Sequence, residues 1–192
     1  MLRHGLSGEE SGPPQPRAVI SLFPGDRPPD GPAPPPLPRS VPSRVVIPSI
    51  AVSAPLLPVG LDGDGWIEAP PAGDPDLAGW YANAPSPGER GTAVLVGHVD
   101  GRSGPAVFYG LGALEKGRTI RVTRVDGRTA IFEVYRIQVF DKRNFPARKV
   151  YGDTGRAELR VLTCGGVYAA GSGYTGNVVV FARMTGTADG NP

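Results

Sequence analysis

Cysteine and histidine are scarce in this chain of 192 residues, which contains one cysteine and two histidines. A single cysteine excludes an intrachain disulfide and any zinc or iron–sulfur site built from several cysteines. Two histidines exclude a three-histidine metal site, and one of them, His4, lies in a proline-rich N-terminal region. We therefore expect no metal and no cofactor, and any catalysis must use a short list of side chains.

An excess of one charge and long hydrophobic runs are also absent. Twenty basic and 18 acidic residues give a net charge of +2, which is too balanced for a protein whose main task is binding a phosphate backbone. We expect no nucleic-acid partner. No segment approaches the roughly 18 consecutive apolar residues of a membrane span. We therefore expect membrane association only through an anchor that this chain does not carry.

Glycine and proline are abundant, with 28 and 23 residues respectively. Twelve of the prolines lie in residues 1–42, and this concentration favours a disordered, partly polyproline segment. We predict a flexible tether over residues 1–42, a folded domain over residues 43–185 and a flexible C-terminal tail over residues 186–192. The tether is either a terminus without a role or a spacer that holds the domain away from an anchoring surface.

The apolar residues of the domain fall in short runs that are typical of β-strands. They predict at least six strands, at residues 44–52, 92–97, 119–125, 129–139, 158–163 and 177–182. Pro48 indicates an edge or a bulge, and Asp126 with Gly127 predicts a hairpin turn. Short helical turns are predicted at residues 76–81, 105–109 and 145–151. The predicted fold class is all-β, a barrel or a sandwich with a few short helical turns.

Cys164 and His98 are the strongest candidates for chemistry, because each directly follows a predicted strand. Cys164 precedes Gly165 and Gly166, which allow a thiol to be presented at a flexible turn. Thiol acyl transfer needs a nucleophile and a base or acid within reach. Each residue alone also has a structural interpretation, since free cysteine is often buried and a histidine can cap a strand end. The histidine precedes the cysteine by 66 residues, which disfavours papain-like enzymes, where the cysteine comes first.

The order and spacing of these segments resemble the sortase family, and most of all the actinobacterial class F sortases. Thr163 and Cys164 match the last two positions of the sortase Thr-Leu-x-Thr-Cys signature. His98 follows the strand after which sortases place their histidine. The resemblance covers residues 44–185 and is carried by four stretches, at residues 46–50, 97–100, 162–166 and 177–182.

The resemblance implies a closed eight-stranded β-barrel and a cysteine transpeptidase. By analogy, Cys164 attacks a carbonyl in a sorting motif of the Leu-Pro-x-Thr-Gly kind, and His98 protonates the departing glycine amine. An amine acceptor such as a peptidoglycan precursor, or water, then resolves the thioester. Thr163 is expected to shape the oxyanion pocket or to be a plain strand residue. Asp100 is expected either to orient the His98 ring or to cap a turn.

The resemblance also implies where the protein acts and with what. The expected partners are secreted proteins that carry a sorting signal, and the expected location is the extracellular face of the cell membrane. We expect a monomer. The alternative is a non-catalytic extracellular β-barrel binding module in which Cys164 and His98 only pack.

The arginine that sortases carry just before the apolar run of the last strand has no counterpart here, because that run begins at Asn177. We predict Asn177 as its replacement by register and Arg183 as the second candidate by residue type. Six residues at about 3.3 Å each place Arg183 roughly 20 Å further along the strand. A further alternative is an arginine from the loop after Phe140, either Arg143 or Arg148. A structural or solvent-facing role stays open for each.

Overall fold

The computed structural model describes residues 12–16, 31–102, 104–169 and 173–189, and it describes only the backbone of Cys164 and of residues 166–169. The strands in these ranges are β1 (Pro42–Ile47), β2 (Val52–Val59), β3 (Ala78–Tyr81), β4 (Gly91–Gly97), β5 (Asp100–Gly101), β6 (Gly104–Pro105), β7 (Thr119–Arg124), β8 (Arg128–Asp141), β9 (Ala157–Ala169) and β10 (Gly173–Asp189). One α-helix, α1, spans Ala147–Tyr151, and short 3-10 helices span Pro48–Ile50, Tyr109–Ala113 and Lys142–Asn144. None of these described helices has the length and apolar content needed to cross a bilayer.

Eight of the described strands close into a barrel in the order β1-β2-β3-β4-β9-β10-β8-β7. The pairs β2–β3 and β4–β9 are parallel, and the other neighbours are antiparallel. Strands β5 and β6 form a separate two-stranded hairpin. Closure leaves no long exposed edge. The prediction of an all-β fold with an eight-stranded barrel is confirmed.

Strand β4 is buried on both faces, as its continuous apolar run predicts. Ala93 and Leu95 lie in the main core inside the barrel. Val94 belongs to a second apolar cluster, which also contains Val150 of α1. The segment after β8 therefore lies over the outer face of the barrel wall and covers the neighbourhood of β4.

Two barrel strands differ from the prediction. The sequence predicts a helical turn over residues 76–81, and this prediction is wrong because Ala78–Tyr81 forms β3. Trp80 is 3 % exposed in the core, so burial and pairing with two neighbours outweigh a weak local helical signal. Strand β2 is not predicted, because Pro55 and Pro58 interrupt the pattern that identifies a strand.

The remaining helical predictions divide. The turn predicted over residues 145–151 is confirmed by α1. The turn predicted over residues 105–109 is wrong in position, because Pro105 pairs with Asp100 in the small hairpin. The helical turn there is the 3-10 helix Tyr109–Ala113.

The last residues of the proline-rich segment contact the barrel. The backbone amide of Leu37 donates a hydrogen bond to a barrel-loop carbonyl at 2.8 Å. The guanidinium of Arg39 donates to the carbonyl of Ala82 at 2.6 Å. Arg124, which is fully buried, donates to the carbonyl of Pro38 at 2.6 Å. These contacts fix the direction in which the chain enters β1.

The predicted tether and tail fall only partly within the described residues. Residues 1–11 and 17–30 of the tether and residues 190–192 of the tail lie outside them. The described part of the tail, up to Asp189, belongs to β10 and pairs with β8. The domain boundaries at residues 42 and 185 stay predictions.

Candidate active site

Strand β4 ends at Gly97, directly before His98, and pairs in parallel with the first half of β9, which continues through Cys164 to Ala169. The parallel register pairs Val96 with Leu162, a difference of 162 − 96 = 66 residues. The same difference separates His98 from Cys164, and the contact between Thr163 and Gly97 continues this alignment to the residues directly before the two. On the other side of β9, Cys164 pairs with Asn177 of β10. The structure thus places three predicted residues across three adjacent strands.

Gly97, the last residue of β4, allows the close approach of Phe108 to the backbone beside His98. A Cβ atom at Gly97 would lie 2.6 Å from the ring of Phe108, so only glycine allows this close approach. The amide of Phe108 donates to the carbonyl of His98 at 3.0 Å, and the amide of Ala106 donates to the carbonyl of Val99 at 3.0 Å. The backbone of His98 and Val99 is therefore held by the following segment, residues 106–108.

The imidazole of His98 is half-buried, and its Nε2 lies 2.7 Å from the carbonyl oxygen of Pro70. A carbonyl only accepts, so the Nε2–H donates this hydrogen bond. In the neutral ring, Nδ1 is then the nitrogen that takes up or releases a proton. The contact with Pro70 fixes the ring and the role of each nitrogen.

Thr163 links the two strand ends beside Cys164. Its side chain is buried, and its hydroxyl donates to the carbonyl of Gly97 at 2.8 Å. The bond joins the residue before Cys164 to the residue before His98. Thr163 therefore helps to hold the two strand ends at a fixed distance from each other.

A cavity of about 320 Å³, here called the central cavity, opens at these strand ends. The described residues that line it include the polar side chains of His98, Thr163, Asn177 and Lys142. Among the described residues that line this cavity, Lys142 is the one lysine, and there is no arginine. It was not predicted from the sequence. The signal for it lies in the register, because β10 pairs Asn177 with Phe140, two residues before Lys142.

The predicted arginines lie elsewhere. Arg183 pairs with Glu158 of β9, six residues along β10 from Asn177, and lines a separate cavity of about 90 Å³. The side chain of Arg143 is 86 % exposed and donates to Asp141 at 3.1 Å, and this contact holds the pKa of the Asp141 carboxyl below its usual range. Arg148 is exposed on α1. The structure brings none of the three to the central cavity.

The sequence matches the sortase domain family over residues 45–185. The chain belongs to the sortase family. Members of this family are generally cysteine transpeptidases that act at the cell surface on proteins carrying a sorting signal. A search of curated protein sequences gave no match.

Solved sortase structures share the fold of this sortase. Sortase A from Listeria monocytogenes is 17 % identical, with a TM-score of 0.60 over 79 % of this chain and 92 % of that chain. A sortase from Actinomyces oris is 19 % identical, with a TM-score of 0.61 over 83 % of this chain and 92 % of that one. Sortase C-1 from the same organism is 23 % identical, with a TM-score of 0.59 over 75 % and 73 %.

A larger cavity of about 640 Å³, here called the outer cavity, adjoins the central cavity of this sortase along the outer face of β4. Trp66, Ile67 and Tyr151 line both cavities. The rings of Trp66 and Phe145 meet edge to face with centroids 6.2 Å apart. Burial raises the pKa of Tyr151 to about 12, so this residue contributes a neutral ring. The two cavities together form a mostly apolar groove that leads to His98.

A third cavity of about 620 Å³, here called the loop cavity, lies on another side of His98. The described residues that line it come from segments 72–75 and 98–106 and include Asp100 and Arg102. The hydroxyl of Tyr174 donates to the carboxylate of Asp100. His98 therefore lies between two cavities of different character.

A buried ionic network connects α1 to the barrel wall in this sortase. Arg160 and Glu158 of β9 form an ion pair at 2.6 Å with side chains 2 % and 1 % exposed. The hydroxyl of Tyr135 donates to Glu158 at 2.9 Å, and burial raises the pKa of Tyr135. The Nε of Arg160 donates to the carbonyl of Val150 at 2.8 Å. The network thus ties α1, with Tyr151 at its end, to the barrel wall.

Proposed function

We propose that this sortase is a class F transpeptidase that cleaves a sorting motif of the Leu-Pro-x-Thr-Gly kind and transfers the acyl group to an amine. The observation that supports the proposal is that His98 and Asn177 line the central cavity together, while the backbone of Asn177 pairs with that of Cys164. Support for class F comes from the order of the stretches at residues 46–50 and 162–166 around this pair.

The first half of the reaction uses Cys164 and His98. The thiol proton passes to the imidazole, and the thiolate attacks the carbonyl carbon of the scissile peptide bond. When the tetrahedral intermediate collapses, the C–N bond breaks and the imidazolium of His98 gives its proton to the departing amine. A thioester on Cys164 and a neutral His98 remain.

Negative charge develops on the carbonyl oxygen during this attack, and fixed donors in the cavity stabilise it. Asn177 and Lys142 line the same cavity as His98, which supports both as the donors that serve in place of an arginine. An amide and an ammonium together supply the hydrogen bond and the positive charge that one guanidinium combines.

The groove accounts for the substrate on the acyl side. The central and outer cavities share Trp66, Ile67 and Tyr151, a mostly apolar lining that suits a short extended segment with apolar side chains. The substrates are secreted proteins that carry the sorting motif, and the acceptor is an amine such as a peptidoglycan precursor. The enzyme works as a monomer on the extracellular face of the membrane.

The test is incubation with a panel of sorting-motif peptides and amine acceptors, read by mass spectrometry. Thioester and transfer product are expected with the unaltered protein, and neither with Cys164→Ala or His98→Ala. His4→Ala is the matched control, because His4 is the second histidine of the chain and lies outside the predicted domain. Peptide cleavage that persists in Cys164→Ala would refute the mechanism. A thiol that reacts with no peptide or probe in the unaltered protein would favour the binding module.

A further inference from the structure

We infer that the loop cavity is the amine site of this enzyme, and that it selects a primary amine which carries a carboxylate nearby. The inference rests on the proposed function, since it concerns the second substrate of that reaction. Its starting point is that His98 lines both the central cavity and the loop cavity.

The two cavities that His98 lines hold different substrates, the acyl group in the central cavity and the amine in the loop cavity. Asn177, whose backbone pairs with that of Cys164, lines the central cavity, so we assign the acyl group to this cavity. The described residues lining the loop cavity come from segments 72–75 and 98–106 rather than from β9 or β10. One proton carrier serves both the departing and the entering amine, and it must be within hydrogen-bond reach of each. The loop cavity, which His98 also lines, offers such a space away from the acyl side.

The charges of the loop cavity fit an amine. Asp100 is half-buried in its wall, and its carboxylate accepts from Tyr174. An ionised carboxylate offers about four acceptor positions, so the bond from Tyr174 orients the group and leaves acceptor capacity for an ammonium. Arg102, two residues further on, is exposed and lines the same cavity. A guanidinium beside a carboxylate pairs with the carboxylate of the incoming molecule.

The transfer step balances with these groups. The bound ammonium loses one proton to water, and the free amine attacks the thioester carbonyl carbon. A C–N bond forms, the C–S bond breaks, and the electron pair leaves on the sulfur of Cys164. The extra proton of the new amide nitrogen passes to His98, which restores the thiolate and imidazolium that started the cycle.

The experiment measures how the thioester divides between amine transfer and hydrolysis. With Nα-acetyl-lysine as acceptor, Asp100→Asn is expected to lower the ratio of transfer to hydrolysis about 3- to 10-fold, the range of one charge-assisted contact at a half-buried site. The rate of thioester formation is expected to stay unchanged. Asp76→Asn removes an exposed carboxylate of the neighbouring loop, so it is expected to keep the ratio within about twofold.

The preference for an amine that carries a carboxylate is tested with two matched acceptors. The unaltered enzyme is expected to prefer Nα-acetyl-lysine over its carboxamide, and Arg102→Gln is expected to abolish that preference. Equal use of the two acceptors by the unaltered enzyme would overturn the assignment of Arg102. Normal thioester formation with an unchanged ratio in Asp100→Asn would overturn the amine site alone. Failure of the unaltered protein to form any thioester would overturn the proposed function, and the amine site with it.

Discussion

Replacing Glu158 by alanine is expected to lower the free energy of unfolding far more than replacing an exposed carboxylate. Glu158 and Arg160 are almost completely buried and 2.6 Å apart. In Glu158→Ala, the guanidinium keeps its bonds to the carbonyls of Val150 and Leu159, but its charge has no counter-charge in a region of low polarity. The hydroxyl of Tyr135 loses its acceptor as well.

Breaking a buried ion pair from one side costs about 3–5 kcal/mol, a large part of the roughly 5–15 kcal/mol that stabilises a domain. Replacing both partners by apolar residues of similar size is often neutral or stabilising. Glu158→Leu combined with Arg160→Met is therefore expected to be more stable than Glu158→Ala. Glu158→Gln is expected to lie between them, because its amide oxygen still accepts from Tyr135.

The assay is urea unfolding followed by tryptophan fluorescence, with Trp80 as a buried reporter and with the slope of each transition compared. Glu115→Ala is the control, because Glu115 and Arg118 form an ion pair whose side chains are both more than half exposed. Such a pair is worth about 0–1 kcal/mol. A loss below about 1 kcal/mol in Glu158→Ala, or a double variant no more stable than the single one, would refute the reasoning.

Three further predictions concern the site and the barrel ends. Lys142→Met is expected to slow thioester formation about 100- to 1,000-fold, as for the loss of one oxyanion donor, with Lys142→Arg recovering much of the rate in single-turnover mass spectrometry. Gly97→Ala is expected to lose about 1–3 kcal/mol in urea titrations, because its Cβ would meet Phe108 at 2.6 Å. Asp126→Asn is expected to lower Tm near neutral pH but not in strong acid, because hydrogen bonds from Arg124 hold the pKa of Asp126 below its usual range. That stabilisation is present above the unfolded pKa of about 3.9 and is lost as the pH falls through the folded value.

Each of these predictions has a matched control in the chain. Arg143→Ala removes an exposed cation next to Lys142 and is expected to leave thioester formation unchanged. Gly101→Ala adds a Cβ that meets no atom within 4 Å and is expected to keep stability. Asp76→Asn removes an exposed carboxylate and is expected to leave Tm unchanged near neutral pH. Equal behaviour of any variant and its control would contradict the corresponding prediction.

The sequence predicts much of the barrel because many strands carry their own signal. The continuous apolar run of β4 and the turn at Asp126 and Gly127 are local features that the structure keeps. Strand β3 has no such signal, since its four residues gain their conformation from pairing with β2 and β4. Pairing of this kind depends on tertiary context rather than on local preference.

The site could be predicted only as far as the strand ends define it. His98 follows β4 as predicted, whereas the prediction that Cys164 ends its strand is wrong, because β9 continues to Ala169 by pairing with β10. The spacing of 66 residues becomes meaningful once β4 and β9 are known to pair in parallel. Lys142 could not be predicted, because it reaches the cavity through the pairing of Asn177 with Phe140, two residues far apart in sequence. Such a pairing depends on tertiary context and leaves no mark on the pattern of apolar residues.

In the proposed mechanism, the parallel pairing of β4 with β9 also controls when the protein becomes reactive. During synthesis His98 emerges long before Cys164, and the two strands meet only after the intervening β7, β8 and α1 have been made. Contacts between residues so far apart in sequence form slowly, because a long loop must close first. The thiol therefore has no proton carrier beside it until the barrel has closed, and an incomplete chain cannot attack the peptides around it.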